Sequence, residues 1–261
     1  QVLAPLNEWV RRGAPDPRSG MGTRVAAAQV DLKTARSHWA FQPVRRPPPI
    51  ASQSGLDTLH PVDRCLSAAW RAKGIQPAPQ ADPRTLVRRL CYDLTGLPPA
   101  MEDVESFAQN PSKEAYHALV KRYLDSPRFG EKWGRHWLDI ARYADTRGVP
   151  VPITADPRFF YSYAYRDYVI DSFNSDKPLN QFIVEQIAVD ILQPDALEKL
   201  PALGFLTLGR SFLNNPHDII DDRIDVISRG LLGLTVACAR CHDHKFDPVS
   251  TADYYALYGV F

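Results

Sequence analysis

Cys238-Ala239-Arg240-Cys241-His242 is followed directly by Asp-His-Lys-Phe-Asp-Pro, so two thiols, two imidazoles and two carboxylates fall within the eleven residues 238–248. The order Cys-x-x-Cys-His is that of covalent c-type haem attachment. Thiols one turn apart can form thioethers with the two vinyl groups on one porphyrin edge, and the next histidine then reaches the iron as proximal ligand. Three other chemistries use similar residues. Zinc takes ligands of the types Cys238, Cys241, His242 and His244, but four ligands within seven residues would strain a tetrahedron, and no second Cys-x-x-Cys supplies a separated pair. A thioredoxin-like dithiol usually follows a strand, whereas this pair closes a helical pattern. The remaining reading is structural: a helix end whose side chains cap and turn the chain.

With haem attached, the second axial position decides between electron transfer and small-molecule chemistry such as peroxide reduction. Met21 and Met101 lie in linker and surface contexts, and His244 is too close to His242 to reach the opposite face. His136 and His217 remain as candidate distal ligands, beside an open site. Trp133, His136, Trp137, Ile140 and Ala144 recur at helical spacing, which places His136 on a buried face. His217 lies in the Asn-Asn-Pro-His-Asp turn that precedes the motif's helix.

The elements that must hold these residues read as helices. Residues 61–74 start on Pro61 and stop at Gly74; residues 82–98 have Asp82 as N-cap, Pro83 at the first position and Leu86, Leu90 and Leu94 on one face. Segments 100–110 and 112–126 are two further amphipathic helices, and Tyr116, Leu119, Val120 and Tyr123 line the apolar side of the second. Helices are also expected over 165–174 and 179–192, with a Pro- and aromatic-rich loop at 148–164. Residues 218–242 read as one long helix whose apolar side runs through Ile224, Ile227, Leu231, Leu234 and Cys238. Strand-like alternation is scarce, so the expected fold is mainly α, an irregular multi-helix domain with long Pro- and aromatic-rich loops.

Upstream, residues 1–20 read as the final helix of a preceding domain, which makes the chain a piece of a longer protein. Residues 21–60 read as an extended linker or strap, and 61–261 as the α-helical haem domain. Within the strap, Trp39 and Phe41 are spaced as in an extended segment that pins one edge onto a domain. A formal charge of +1 over 261 residues gives no basic bias toward nucleic acid, and no apolar run approaches the ~20 residues of a membrane span. Cys65 and Cys91 sit alone on two helices. They would either pair as a disulfide in the oxidising compartment where c-type haem is attached, or stay free as small core residues.

The stretches FQPVRRPPP, RRLCYDLTGLPP, SPRFGEKWGRHWLDIARYADT, YRDYVIDSFN and GLTVACARCHDHKFDPVSTADYYALYGVF together resemble a planctomycete-type cytochrome-associated domain of unknown function, over residues 38–261. That resemblance implies a larger exported polypeptide, periplasmic or at the bacterial cell surface. It implies a cytochrome c-like domain before this one and another domain after it. It supplies no activity. The departure of Cys65 and Cys91 from the large side chains usual there fits a disulfide particular to this chain. The leading expectation is a c-type haem electron-transfer module serving a redox partner or fused domain. One alternative is an enzyme, either an open-site haem or carboxylates such as Asp139, Asp145 and Asp190 acting on a polysaccharide. The other is a structural or interaction domain with zinc, or no metal, at the motif.

Overall fold

The computed structural model describes residues 8, 11–12, 31–35, 37–45, 60–146, 158–209 and 215–261. Most of the helix expected over 1–20 and most of the 148–164 loop lie outside the described residues. The domain is mainly α, as expected; among the described residues the sole β feature is an isolated bridge between Thr146 and Arg158. Helix α1 spans Pro61–Ala72, α2 Pro83–Thr95, α3 Met101–Gln109, α4 Lys113–Leu124, α5 Pro127–Ile140, α6 Ser162–Asn174, α7 Leu179–Leu192, α8 Gly204–Thr207, α9 Pro216–Ile227 and α10 Thr251–Tyr258.

Local chemistry sets these boundaries. Asp82 accepts the Thr85 N–H at 3.0 Å to start α2, and Gly96, at φ +73°, ends it in the left-handed conformation that costs glycine nothing. Ser112 caps α4, while Ser250 and Asp253 form a reciprocal capping box at α10. The apolar faces of α2, α3 and α4 meet in one cluster of Val87, Leu90, Cys91, Phe107, Leu119 and Tyr123. A second cluster joins Ala141, Tyr165, Val169, Phe182, Phe205, Leu206 and Val226. A third, around Ile224, Val236, Ala239 and Tyr254, lies under the Cys-x-x-Cys-His motif.

Helix α5 packs most extensively on α6, and it does so through glycines. A Cβ on Gly130 would stand 2.5 Å from the Ile170 carbonyl oxygen, and the Gly130 N–H donates to Asn174 Oδ1 at 2.7 Å. A Cβ on Gly134 would meet Val169 and Ile170 only at 3.4 Å, ordinary van der Waals distance. The buried row of α5 is therefore Gly130 and Gly134, continued by Ala141 at its C-cap, with Trp137 and Leu138 at its edge. Trp133, His136 and Ile140 are exposed. The expectation that His136 is buried is corrected for this reason: the backbone-to-backbone approach selects the small residues and turns the bulky ones outward.

Two ionic ties brace the second cluster. Glu185, with no solvent-exposed side-chain surface, receives Lys177 Nζ at 2.5 Å, Lys199 Nζ at 3.1 Å, Gln181 Nε2 at 2.9 Å and the Tyr168 hydroxyl at 2.8 Å. Arg142, at φ +50°, spans from the end of α5 to the Asp222 carboxylate on α9 and donates to the Phe205 carbonyl at 2.9 Å.

Three further expectations are corrected here. The Cys65–Cys91 disulfide is not formed: both thiols are free, Cys65 is exposed on α1, and Cys91 is buried with Sγ 3.4 Å from Thr95 Oγ1. The long helix before the motif breaks up. After α9 come a π turn over Ser228–Leu232, a left-handed Gly233 at φ +67° and a 3₁₀ turn over Val236–Arg240. Trp39–Phe41 forms a 3₁₀ turn rather than an extended pin, and Trp39 is exposed.

Candidate haem-attachment site

Gly233 lets the chain leave the axis of α9, and the 3₁₀ turn that follows sorts its residues into three rows. Val236 and Ala239, three apart, point inward and are buried against Ile224 and Tyr254. Cys238, in the turn, and Cys241, at its C-cap, are both exposed. The lateral row holds Arg240, whose guanidinium donates to Asp218 Oδ1 at 2.9 Å and lies 3.6 Å from Asp221 Oδ2, both on α9. Tyr254 of α10 donates to Asp221 Oδ1 at 2.6 Å, and Tyr255 donates to the Arg240 carbonyl at 3.3 Å. The hydrogen bond to Asp218 holds the Arg240 pKa above its ordinary value; burial, then the bond to Asp221, pushes the Tyr254 phenol up.

The two histidines of the motif differ in which nitrogen is engaged. His242 is exposed, and its Nδ1 lies 2.8 Å from the Asp243 carbonyl oxygen. A carbonyl only accepts, so Nδ1 carries the proton and the neutral ring presents its lone pair at Nε2. Metal-bound imidazoles are commonly held in this way. His244 is buried, and its Nδ1 accepts the N–H groups of Asp247 at 2.7 Å and Phe246 at 3.2 Å. Its Nε2 then donates to Thr235 Oγ1 at 3.0 Å. Both nitrogens are engaged, so His244 closes the loop after the motif and has no lone pair left for a metal.

These residues fit covalent haem. Two accessible thiols, one in the 3₁₀ turn and one just past its end, are followed by an imidazole with its free lone pair at Nε2. A cleft of about 650 Å³ is lined by Leu232, Leu234, Phe246 and Pro248, which flank the motif in sequence, and by His38 and Phe41 of the strap. Those lining segments bracket the motif in sequence, and Phe246 leaves 76% of its surface exposed, with the Lys245 ammonium 5.0 Å from its ring centroid. Among the described residues no group of three or more His, Cys, Asp or Glu side chains is gathered that could hold a metal ion.

Of the distal candidates, His217 is exposed in the first turn of α9, next to Asp218, with Nδ1 2.5 Å from the Tyr258 hydroxyl. It shares the motif's end of α9. His136 lies exposed against the Trp133 ring, centroids 5.6 Å apart, on α5; that helix packs on α6, α2 and α4, whereas the motif turn packs on α9 and α10. Asp139, Asp145 and Asp190 sit exposed on three separate segments, and hydrogen bonds from Tyr143 and Ser162 hold the Asp145 carboxyl below the usual range.

Sequence reasoning missed Arg240 as a positioned charge and Glu185 as a buried one. The signal for Glu185 was a lone carboxylate inside the apolar run Phe-Ile-Val-Glu-Gln-Ile-Ala-Val. Arg240 carried no signal, because its partners lie about twenty residues away on a helix expected to be continuous with it.

The sequence model of PSCyt2, described as a protein of unknown function (DUF1549), matches residues 61–261. No curated protein and no solved structure matches the chain.

Proposed function

The chain belongs to the PSCyt2 family of proteins of unknown function, and we propose that within it this chain is a c-type haem electron-transfer module of an exported multidomain redox protein. The observation that carries the reading is the exposed Cys238–Cys241 pair followed by His242 with its lone pair at Nε2. Cys238 and Cys241 would hold the haem through two thioethers, each formed by addition of S–H across a vinyl group, which would release nothing and consume no oxidant. The Nδ1–H bond to the Asp243 carbonyl orients the ring of His242 and raises its basicity toward iron. Haem c supplies reversible one-electron transfer. An outward-facing motif puts that chemistry within reach of a partner protein or fused domain, which favours transfer over an enclosed catalytic pocket. Maturation of this kind belongs to an exported protein, periplasmic or at the cell surface.

The test is intact mass plus a pyridine haemochrome spectrum on chain matured in a periplasm equipped for c-type attachment. One covalent haem is expected in wild type and none in Cys238→Ala/Cys241→Ala. His242→Ala is expected to keep the thioethers while losing the wild-type axial ligation spectrum. Correctly exported wild type with unmodified mass and no haemochrome overturns the reading. A high-spin ferric spectrum that shifts with cyanide would replace electron transfer by open-site haem chemistry.

A further inference from the structure

We propose that the ion-pair cluster of Arg240, Asp218 and Asp221 sets the redox balance of the iron ligated through His242, with Arg240 as the positioning residue; the inference rests on the haem reading above. Arg240 lies between the two attachment cysteines, yet its row of the 3₁₀ turn faces neither the core nor the thiols. It faces α9. Its side chain is held by Asp218 at 2.9 Å and lies 3.6 Å from Asp221, while its own carbonyl accepts the Tyr255 hydroxyl at 3.3 Å. Side chain and backbone are thus tied to two different helices, and the peptide leading into Cys241 and His242 is fixed from both. Tyr254, donating to Asp221 at 2.6 Å, holds the second carboxylate in place.

The cluster is one cation against two carboxylates, so it places a net negative charge beside the attachment site. A neighbouring negative charge favours ferric iron and a positive one favours ferrous iron, because oxidation adds a positive charge to the centre. Arg240 offsets part of the field of its own partners. Because Arg240 adjoins Cys241 in the chain, changing the cluster by one charge is expected to shift the ferric–ferrous equilibrium by about two- to tenfold, the tenfold end being about 59 mV for a one-electron couple.

The experiment is potentiometric titration of the haem-loaded full chain, with haem content read by intact mass. Arg240→Gln is expected to lower the midpoint potential, Asp218→Asn to raise it, and Arg240→Lys to leave it near wild type. The double variant Arg240→Gln/Asp218→Asn is expected to return toward wild type. Opposite signs separate charge from damage, because a merely structural role moves both single variants the same way or not at all. Loaded variants with unchanged potentials overturn the proposal and leave the haem reading standing. If Arg240→Gln fails to load, Asp218→Asn and Arg240→Lys decide the matter by the same signs. Wild type without haem overturns the reading and this proposal with it.

Discussion

Glu185→Gln removes one negative charge from the inside of the second core cluster while keeping the side chain's shape. Burial pushes the Glu185 carboxyl up, but hydrogen bonds from Lys177, Gln181, Tyr168 and Lys199 more than reverse this and hold it at about 2. An unfolded glutamate titrates near 4.3, so the charged form is favoured in the folded chain by roughly 3 kcal/mol. The folded pKa is the depressed one. The contribution is therefore complete above the unfolded value and is lost as pH falls from about 4.5 through about 2. The amide also leaves two cations short of a partner. Lys177 and Lys199 keep 18% and 28% of their side chains exposed and can turn toward water, which puts the penalty at the lower end of what breaking a buried pair costs. Urea unfolding should show Glu185→Gln less stable by about 3 kcal/mol at pH 7 and pH 5, with the gap falling to about half at pH 3. A gap below about 1 kcal/mol at pH 7, or one constant down to pH 3, would refute the assignment of the network as a net stabiliser.

Gly130→Ala drives a methyl into the Ile170 carbonyl, which cannot yield without moving α6, and should cost about 2–3 kcal/mol in urea unfolding. Gly134→Ala has only ordinary contacts ahead of it; it should be neutral or stabilise by up to about 1 kcal/mol through helix propensity, giving a Tm change of opposite sign to Gly130→Ala. His244→Ala leaves the Phe246 and Asp247 N–H groups without their acceptor and should cost about 1–3 kcal/mol, yet the haem mass should persist. Loss of metal rather than of stability in that variant would return His244 to the ligand set. Cys65→Ser should change stability by less than about 0.5 kcal/mol and leave non-reducing gel mobility unaltered, whereas Cys91→Ala opens a small cavity worth about 1–2 kcal/mol.

Helix existence was legible where local chemistry and apolar pattern agreed. In α2, Asp82 caps, Pro83 opens, Gly96 closes, and Leu90 is buried between them. Periodicity failed where size and burial part company. On α5 the eye follows Trp133, His136 and Ile140 because they are large or apolar, but the helix approaches α6 by the row that has almost no side chain. A pattern reading weighs hydrophobicity and cannot weigh proximity, so a glycine interface reads as a polar stripe. The long helix over 218–242 failed for a related reason: its apolar residues continue the period in sequence, but Gly233 in the left-handed region takes the backbone off the axis.

That break is what makes the motif usable. Had α9 run on at 3.6 residues per turn, Cys238 would have continued the apolar stripe of Ile224 and Ile227 and faced the core. The π turn and Gly233 reset the phase, and the 3₁₀ turn repeats every three residues, the spacing of the two cysteines themselves. Val236 and Ala239 therefore share the inward row while Cys238 and, just past the turn, Cys241 are left exposed, and Arg240 is left to the side where α9 offers its carboxylates. The residue types and spacing of the motif were legible in the sequence. Its direction was not, because direction depends on the phase carried into it by residues 228–235, and that phase is set by a change of helix type rather than by any residue that does chemistry.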